Sequence, residues 1–437
     1  MRIGYIKRVG VILIGAVVMV LVPCFSFAGD FVIKNGTIIT VKGDTIQNGT
    51  LIIKGDRIAG VGHDVEVPEN AEIIDARGLF VYPGMIDGSC TLGLYEIGAV
   101  SATVDAYEIG TYNPHIKAMA ALNPHSVHIP ISRVNGITSA LVVPGGGIIS
   151  GQSAFINLNG WTQEEMVLKS PVGIHINFPR LPADDRRGMR ARRPGGSETV
   201  KKRTEKQISE LIELFNKARR YSERWESYLR SKKLPAPEKD LMLEALVPVI
   251  KEELPVIISV NAEKDIKNAI EFVDSMKVKA IFSGVNDGWK VAPLLAKHNI
   301  PVLVGPVLQT PGPRDPFDAR YVNACILNRA GVKIAFITNS AADVRNLPYH
   351  AGMAAAYGLP KEEALKAVTI YPAEIFGLGD ILGTIEPGKL ANIIVTDGDP
   401  LEVTTHVKHL FIAGEKVSLK TKHTELYEKF RKRPKNR

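Results

Sequence analysis

The chain has 437 residues, 45% of them hydrophobic, with a formal net charge of +8 and three cysteines. That hydrophobic share supplies a large core and excludes a charge-dominated disordered chain, while so few cysteines exclude a disulfide scaffold. The positive balance sits in appendages. Arg2, Lys7 and Arg8 open the chain, residues 180–206 hold ten Lys/Arg against four Asp/Glu, and Lys429, Arg431, Lys432, Arg433, Lys435 and Arg437 crowd the end. The remaining body is mildly acidic, so no nucleic-acid partner is expected. The basic patches leave open peripheral contact with anionic surfaces, and nothing in the sequence decides on a homo-oligomer.

Residues 1–28 read as a secretory signal. A basic start precedes the apolar run VGVILIGAVVMVLV (9–22), and Ser26-Phe27-Ala28 forms a small-x-small end. The expectation is an exported protein, periplasmic or secreted. The run is short for a spanning helix, and a retained anchor is the alternative. Cys24 follows Pro23, a poor setting for lipidation. The mature chain keeps Cys90 and Cys325, whose pairing the sequence leaves open.

Short alternating strands are predicted over 31–81, in FVIKNGTIIT and GTLIIKGDRIAGVG, punctuated by Asn35-Gly36, Asn48-Gly49 and Gly55-Asp56. The same pattern returns in GTIEPGKLANIIVTDGD (383–399) and VKHLFIAGEKVS (407–418). Between them, apolar runs at 137–144, 173–178, 255–261, 279–285, 300–306 and 332–338 alternate with helical stretches such as 265–276 and 288–299. Alternation of strand and helix predicts an α/β fold with a parallel sheet, and residues 85–379 suit a (β/α)₈ TIM-like barrel. Residues 180–240 are the least regular part and read as an insertion over the barrel. Residues 421–437 form a basic tail.

The stretch VYPGMIDGSCTLGLYEI (81–97) resembles the entry motif of the amidohydrolase superfamily, Pro-Gly-apolar-Ile-Asp-x-His-x-His-Leu-Gly. Pro83, Gly84, Ile86, Asp87, Leu92 and Gly93 keep the frame, while Ser89 and Thr91 stand where the histidines belong. The run from Asn346 to Leu378 and the turn Gly383, Pro387, Gly388, Lys389 are similar to the imidazolonepropionase-like branch. The resemblance implies that 29–84 and 380–420 meet as a composite β-sandwich beside the barrel. It also implies one or two divalent metals at the barrel mouth. These are held by a His-x-His pair on the first strand, Lys or Glu on the fourth, histidines on the fifth and sixth, and Asp on the eighth. Here Asn261 falls at the fifth-strand position, Ser283 near the sixth, and Asn339 at the eighth. The fourth strand offers His175 and neither Lys nor Glu.

Neutral hydroxyls and amides are poor ligands for zinc, and without a metal no hydroxide forms at neutral pH. The expectation is a divergent amidohydrolase whose metal mechanism is lost, with no cofactor unless a divalent metal occupies a non-standard site. Its family activity would be hydrolysis of non-peptide C–N bonds. All the replacements are polar, and burying unpaired polar atoms costs ~1–3 kcal/mol each, which predicts retained binding of a small molecule by Ser89, Thr91, Asn261, Ser283 and Asn339. The alternatives are a catalytically silent exported binding protein and a structural or assembly partner acting through the basic insertion or tail. His175 is the best remaining general base, with Asp87, Asp343 and His350 as neighbours; Asp87 otherwise orders the first-strand turn. Two further groups carry weaker chemistry. His115, His125 and His128 lie within fourteen residues and could gather a metal, and PGGGIISGQSA (144–154) could form an anion nest or simply a turn.

Overall fold

The structure is a computed structural model that describes residues 30–181, 196–231, 235–313 and 315–433. The expected signal, the arginine-rich opening of the insertion and the last four residues of the tail lie outside them. In chain order the strands are β1 (Phe31–Ile39), β2 (Thr45–Lys54), β3 (Arg57–Gly62), β4 (Glu72–Asp75), β5 (Phe80–Pro83), β6 (Met85–Cys90), β7 (Ile137–Val142), β8 (Ile149–Gln152) and β9 (Ala154–Asn157). Then come β10 (Val167–Lys169), β11 (Ile174–Asn177), β12 (Val256–Val260), β13 (Ala280–Gly284), β14 (Val302–Val304), β15 (Ile334–Phe336), β16 (Ile393–Thr396), β17 (Val407–Ile412) and β18 (Glu415–Lys416). The helices are α1 (His128–Arg133), α2 (Gln163–Met166), α3 (Gly196–Arg230), α4 (Leu241–Ile250), α5 (Glu263–Met276) and α6 (Gly288–Lys297). They continue with α7 (Ala319–Arg329), α8 (Leu347–Ala356), α9 (Lys361–Lys366), α10 (Ile370–Ile375) and α11 (Lys422–Arg431).

The two chain ends share one eight-stranded sheet. Its order is β18-β17-β16-β5-β1-β2-β3, with β4 beside β1. The join is the antiparallel pair β5–β16, in which Val81 faces Val395 and Pro83 faces Ile393. Apolar residues on one face supply a separate core of Ile33, Leu51, Ile53, Val81, Ile393 and Phe411.

A second sheet runs β10-β9-β7-β6 and a third β15-β14-β13-β12-β11-β8. β11 to β15 are parallel neighbours, each crossover carrying helices that bury an apolar stripe. In α5, Ile266, Ala269, Ile270, Phe272, Val273 and Met276 are buried at helical spacing. The charged run of the insertion forms α3, which packs Leu211, Phe215 and Ala218 into the main core.

The expected closed barrel is not formed by hydrogen-bonded strands among the described residues. β6 and β15 lie side by side, and Asn339 N donates to Ser89 O at 2.9 Å. Their edge amides, however, are claimed elsewhere: Ile86 N donates to Val368 O at 2.7 Å, and Phe336 N to Ala367 O at 3.0 Å. With those donors taken, no ladder spans the gap. On the other side the chain switches sheets at Ser153. β8 pairs antiparallel with β11 and β9 antiparallel with β7. Between the sheets lies a common apolar filling of Ile86, Leu141, Phe155, Ile257, Ile281 and Leu303, closed below by Phe376 and Leu378. The polar cleft described next opens above this filling.

Candidate functional site

Parallel strands place their C-terminal ends at one face, where loops converge and sites form. Here those ends frame a cleft of about 340 Å³. Ser259 is the penultimate residue of β12 and Asn261 follows the strand; their spacing of two puts both on one side. Ser283 lies opposite Ser259 in the β12–β13 register. Thr338, Asn339 and Ser340 come from the loop after β15, and Asn286 and Gln309 from the loops after β13 and β14. Among the described residues, four carboxamides and four hydroxyls therefore line the cleft, and Asp343 is the single ionisable side chain.

Backbone geometry holds this lining. Asn339 has φ 53°, a left-handed conformation that asparagine tolerates, so its amide N–H can reach Ser89 O. Gly284 has φ +88°, and a Cβ there would lie 2.5 Å from Asn261 Oδ1. The glycine thus leaves the space that the Asn261 carboxamide occupies.

Of the residues expected at the mouth, Asn261, Ser283 and Asn339 meet in this cleft, while Ser89 and Thr91 do not line it. Ser89 is buried between β6 and β15, its amide donating to Asp87 Oδ1 at 3.0 Å and its carbonyl accepting from Asn339. Thr91 begins the next turn, where Leu94 N donates to its carbonyl. The close approach of the β6 and β15 backbones keeps this pair out of the lining.

Asp87 ties Ser89 to Thr338, a residue of the cleft lining. Its carboxylate accepts from Thr338 Oγ1 at 2.5 Å, from Thr338 N at 3.3 Å and from Ser89 N. Complete burial pushes its pKa up to about 7, against the downward pull of those hydrogen bonds. His175 is paired with Ile257 across β11–β12, so it shares a face with Ser259 and Asn261 one pleat below Ser259. It is 5% exposed, its Nε2 has no hydrogen-bond partner, and burial pulls its pKa down to about 3. As a neutral imidazole at physiological pH it can only accept or donate one proton beneath the cleft. His350 does not join it: its Nδ1 accepts from Val307 N at 2.9 Å, and burial pulls its pKa down to about 4.

Sequence reasoning missed Ser259, Asn286, Gln309 and Ser340. The spacing of two between Ser259 and Asn261 was a readable signal; the loop positions of the others carried none. The three loop histidines separate. His125 packs edge-on to Trp161, with ring centroids 6.2 Å apart, His128 Nε2 lies 3.2 Å from Glu96 O, and His115 lines another cavity beside Lys117. In the glycine-rich stretch, Ile149–Gln152 forms β8, and the Gly146 and Gly147 carbonyls before it accept from Asn177 Nδ2. Cys90 and Cys325 are both buried and free.

A model of the amidohydrolase family matches residues 320–420. Among known proteins, amidohydrolase tasK of Hapsidospora irregularis is 25% identical over 411 residues, 85% of this chain. A dihydroorotase of Bacillus pumilus (strain SAFR-032) is 44% identical over 57 residues, 13% of each chain. The crystal structure of an amidohydrolase from Thermotoga maritima MSB8 superposes with a TM-score of 0.77 at 26% identity, covering 89% of this chain and 99% of that one. Together these matches support the amidohydrolase superfamily. It spans only 39% of the length of the tasK relative. Superfamily members usually bind a divalent metal, but the side chains at the corresponding positions here do not fit one. Two hydroxyls of Ser89 and Thr91, the Ser283 hydroxyl and the carboxamides of Asn261 and Asn339 bring no imidazole, thiolate or carboxylate, and no negative charge.

Proposed function

We propose that this amidohydrolase-family chain uses the cleft to bind an uncharged, multiply hydrogen-bonding small molecule, and that the family's metal mechanism has been lost. Family membership supports a hydrolase-type ancestry. The observation that carries the reading is the lining itself: carboxamides and hydroxyls gathered where the superfamily keeps its ligands, with Asp343 the only charge among the described residues. Such groups donate and accept equally, and they favour a neutral ligand over an ion.

In this reading β6, β7, the β9–β8 segment and β11 to β15 are the ring of a (β/α)₈-type barrel. The shared terminal sheet is its composite β-sandwich. The contact of β15 with β6 through Asn339 and Ser89 supports the first of these. The run from Asn346 to Leu378 supports an imidazolonepropionase-like branch, and the 1–28 segment supports export to the periplasm or outside the cell.

The test is twofold. Metal content of protein purified without chelators or added metal is counted by mass spectrometry, and a library of neutral metabolites is screened by melting-temperature shift on wild type and on Asn261→Ala/Asn339→Ala. Metal near zero, with shifts abolished in the double variant, is expected. One or two metals per chain, or shifts that survive the double substitution, refute the proposal.

One observation favours residual catalysis as a second reading. Asp87 can carry a proton near neutral pH, one Thr338 hydroxyl away from the cleft. Metal-free hydrolysis of a screened C–N substrate that Asp87→Asn abolishes would support it; activity untouched by Asp87→Asn would rule it out.

A further inference from the structure

The C-terminal helix α11 has no reason to be helical on its own. It has ten residues, and none of them is buried. Isolated helices below about 12–15 residues are marginal in water, and most helical stability comes from packing one face. Its ends are well built, with a capping box between Thr421 and Thr424, Glu425 in the first turn, and Lys429 and Arg431 in the last. What it lacks is a surface.

The distribution of side chains says which surface fits. At 3.6 residues per turn, Leu426, Tyr427 and Phe430 fall on one side, and all three are exposed, at 39%, 64% and 58%. Lys422 and Lys429 flank this stripe on one side and Arg431, paired with Glu428 at 2.9 Å, on the other; His423 falls within the stripe, Glu425 and Glu428 fall on the opposite face, and Lys432 caps the helix end on that face. The Lys429 ammonium lies 5.7 Å from the Phe430 ring and the Arg431 guanidinium 5.8 Å from the Tyr427 ring, so the cations rim the aromatics. Two more cations, Lys435 and Arg437, follow in the sequence. An apolar stripe rimmed by cations, with carboxylates turned away, matches the depth profile of an anionic bilayer surface.

The placement agrees. β18, a few residues before α11, touches the start of β1. Lys416 Nζ is 6.0 Å from the Phe31 ring and 2.6 Å from Glu72 Oε1, and the Phe31 and Phe411 rings are 5.1 Å apart. α11 thus leaves the fold beside the strand at which the described residues begin.

We infer that α11 docks in the plane of an anionic phospholipid surface, inserting Leu426, Tyr427 and Phe430 among the headgroups with its basic rim on the phosphates. All three sheets are built from residues 31–416, so the chain from Gly29 onward separates this contact from any binding by the 9–22 run. Sedimentation of that chain with vesicles of phosphatidylglycerol and phosphatidylcholine (about three to seven) is compared with pure phosphatidylcholine. Binding is expected only to the anionic vesicles and should weaken as salt rises. It should fall about tenfold or more in Leu426→Ser/Tyr427→Ser/Phe430→Ser and in Lys429→Glu/Arg431→Glu, at an unchanged melting temperature. Absence of wild-type binding, equal binding to both vesicle types, or binding that survives both variants overturns the inference. So does a concentration-dependent dimer that the apolar variant dissolves in the absence of vesicle binding.

Discussion

Replacing Asp87 with Asn should change how stability depends on pH, and the direction follows from burial. The folded carboxyl titrates at about 7 against an ordinary 3.8. Between those values the native state holds a proton that the unfolded state has released, so Asp87 makes stability fall as pH rises. Integrating the two titration curves from pH 5 to pH 7 gives a loss of about 2 kcal/mol. His175, folded at about 3 against 6.5, acts in the opposite sense: the unfolded imidazole takes up a proton that the buried one refuses, so stability rises with pH up to about 6.5. His350, at about 4, adds in the same direction as His175. The wild type therefore partly conceals the Asp87 contribution, and only the difference between wild type and Asp87→Asn isolates it. The amide retains an oxygen to accept from Ser89 N and Thr338 N, and its NH₂ can donate to Thr338 Oγ1, so the fold should survive. Urea unfolding at pH 5, 6 and 7 should find Asp87→Asn gaining about 2 kcal/mol on wild type across that interval. A difference that stays flat would mean that Asp87 titrates as an ordinary carboxylate, and the account of a buried, proton-bearing acid below the cleft would fall.

Gly284→Ala should cost about 1–3 kcal/mol, read as a lowered melting temperature, because its φ of +88° is strained for alanine and the new Cβ meets Asn261 Oδ1. If a neutral ligand has been found, the same variant should also weaken it; normal stability with normal binding would contradict the placement of Asn261. His350→Leu leaves the buried Val307 N–H without its acceptor and should destabilise by about 1–3 kcal/mol in urea, with an effect that persists at pH 8, where the imidazole is neutral. An effect seen only below pH 5 would point to charge rather than to that hydrogen bond. The metal count, the Asn261→Ala/Asn339→Ala screen and the vesicle assay described above complete the set.

Much of this protein is legible in one dimension. Period-two alternation marked β1 and β2, and the apolar runs at 255–261, 279–285, 300–306 and 332–338 became β12 to β15, because strand burial is written in which residues are apolar. The motif around Asp87 and the run after Asn346 pointed to the superfamily, and Asn261, Ser283 and Asn339, singled out on the same resemblance, come together in one cleft. Tertiary structure alone decided the rest. Ser89 and Thr91 left the site because the β6 and β15 backbones approach each other through Ser89 O and Asn339 N, a contact 250 residues apart in sequence. The closed ring gave way to two sheets because Ala367 and Val368 carbonyls take the amides that would have closed it on one side and the chain switches sheets at Ser153 on the other. Gln309 and Asn286 reached the cleft on loops, whose course depends on the strands they join more than on their own residues. Burial gave Asp87 and His175 their displaced titrations, because a side chain's proton affinity depends on the solvent it has lost, and sequence does not record that loss.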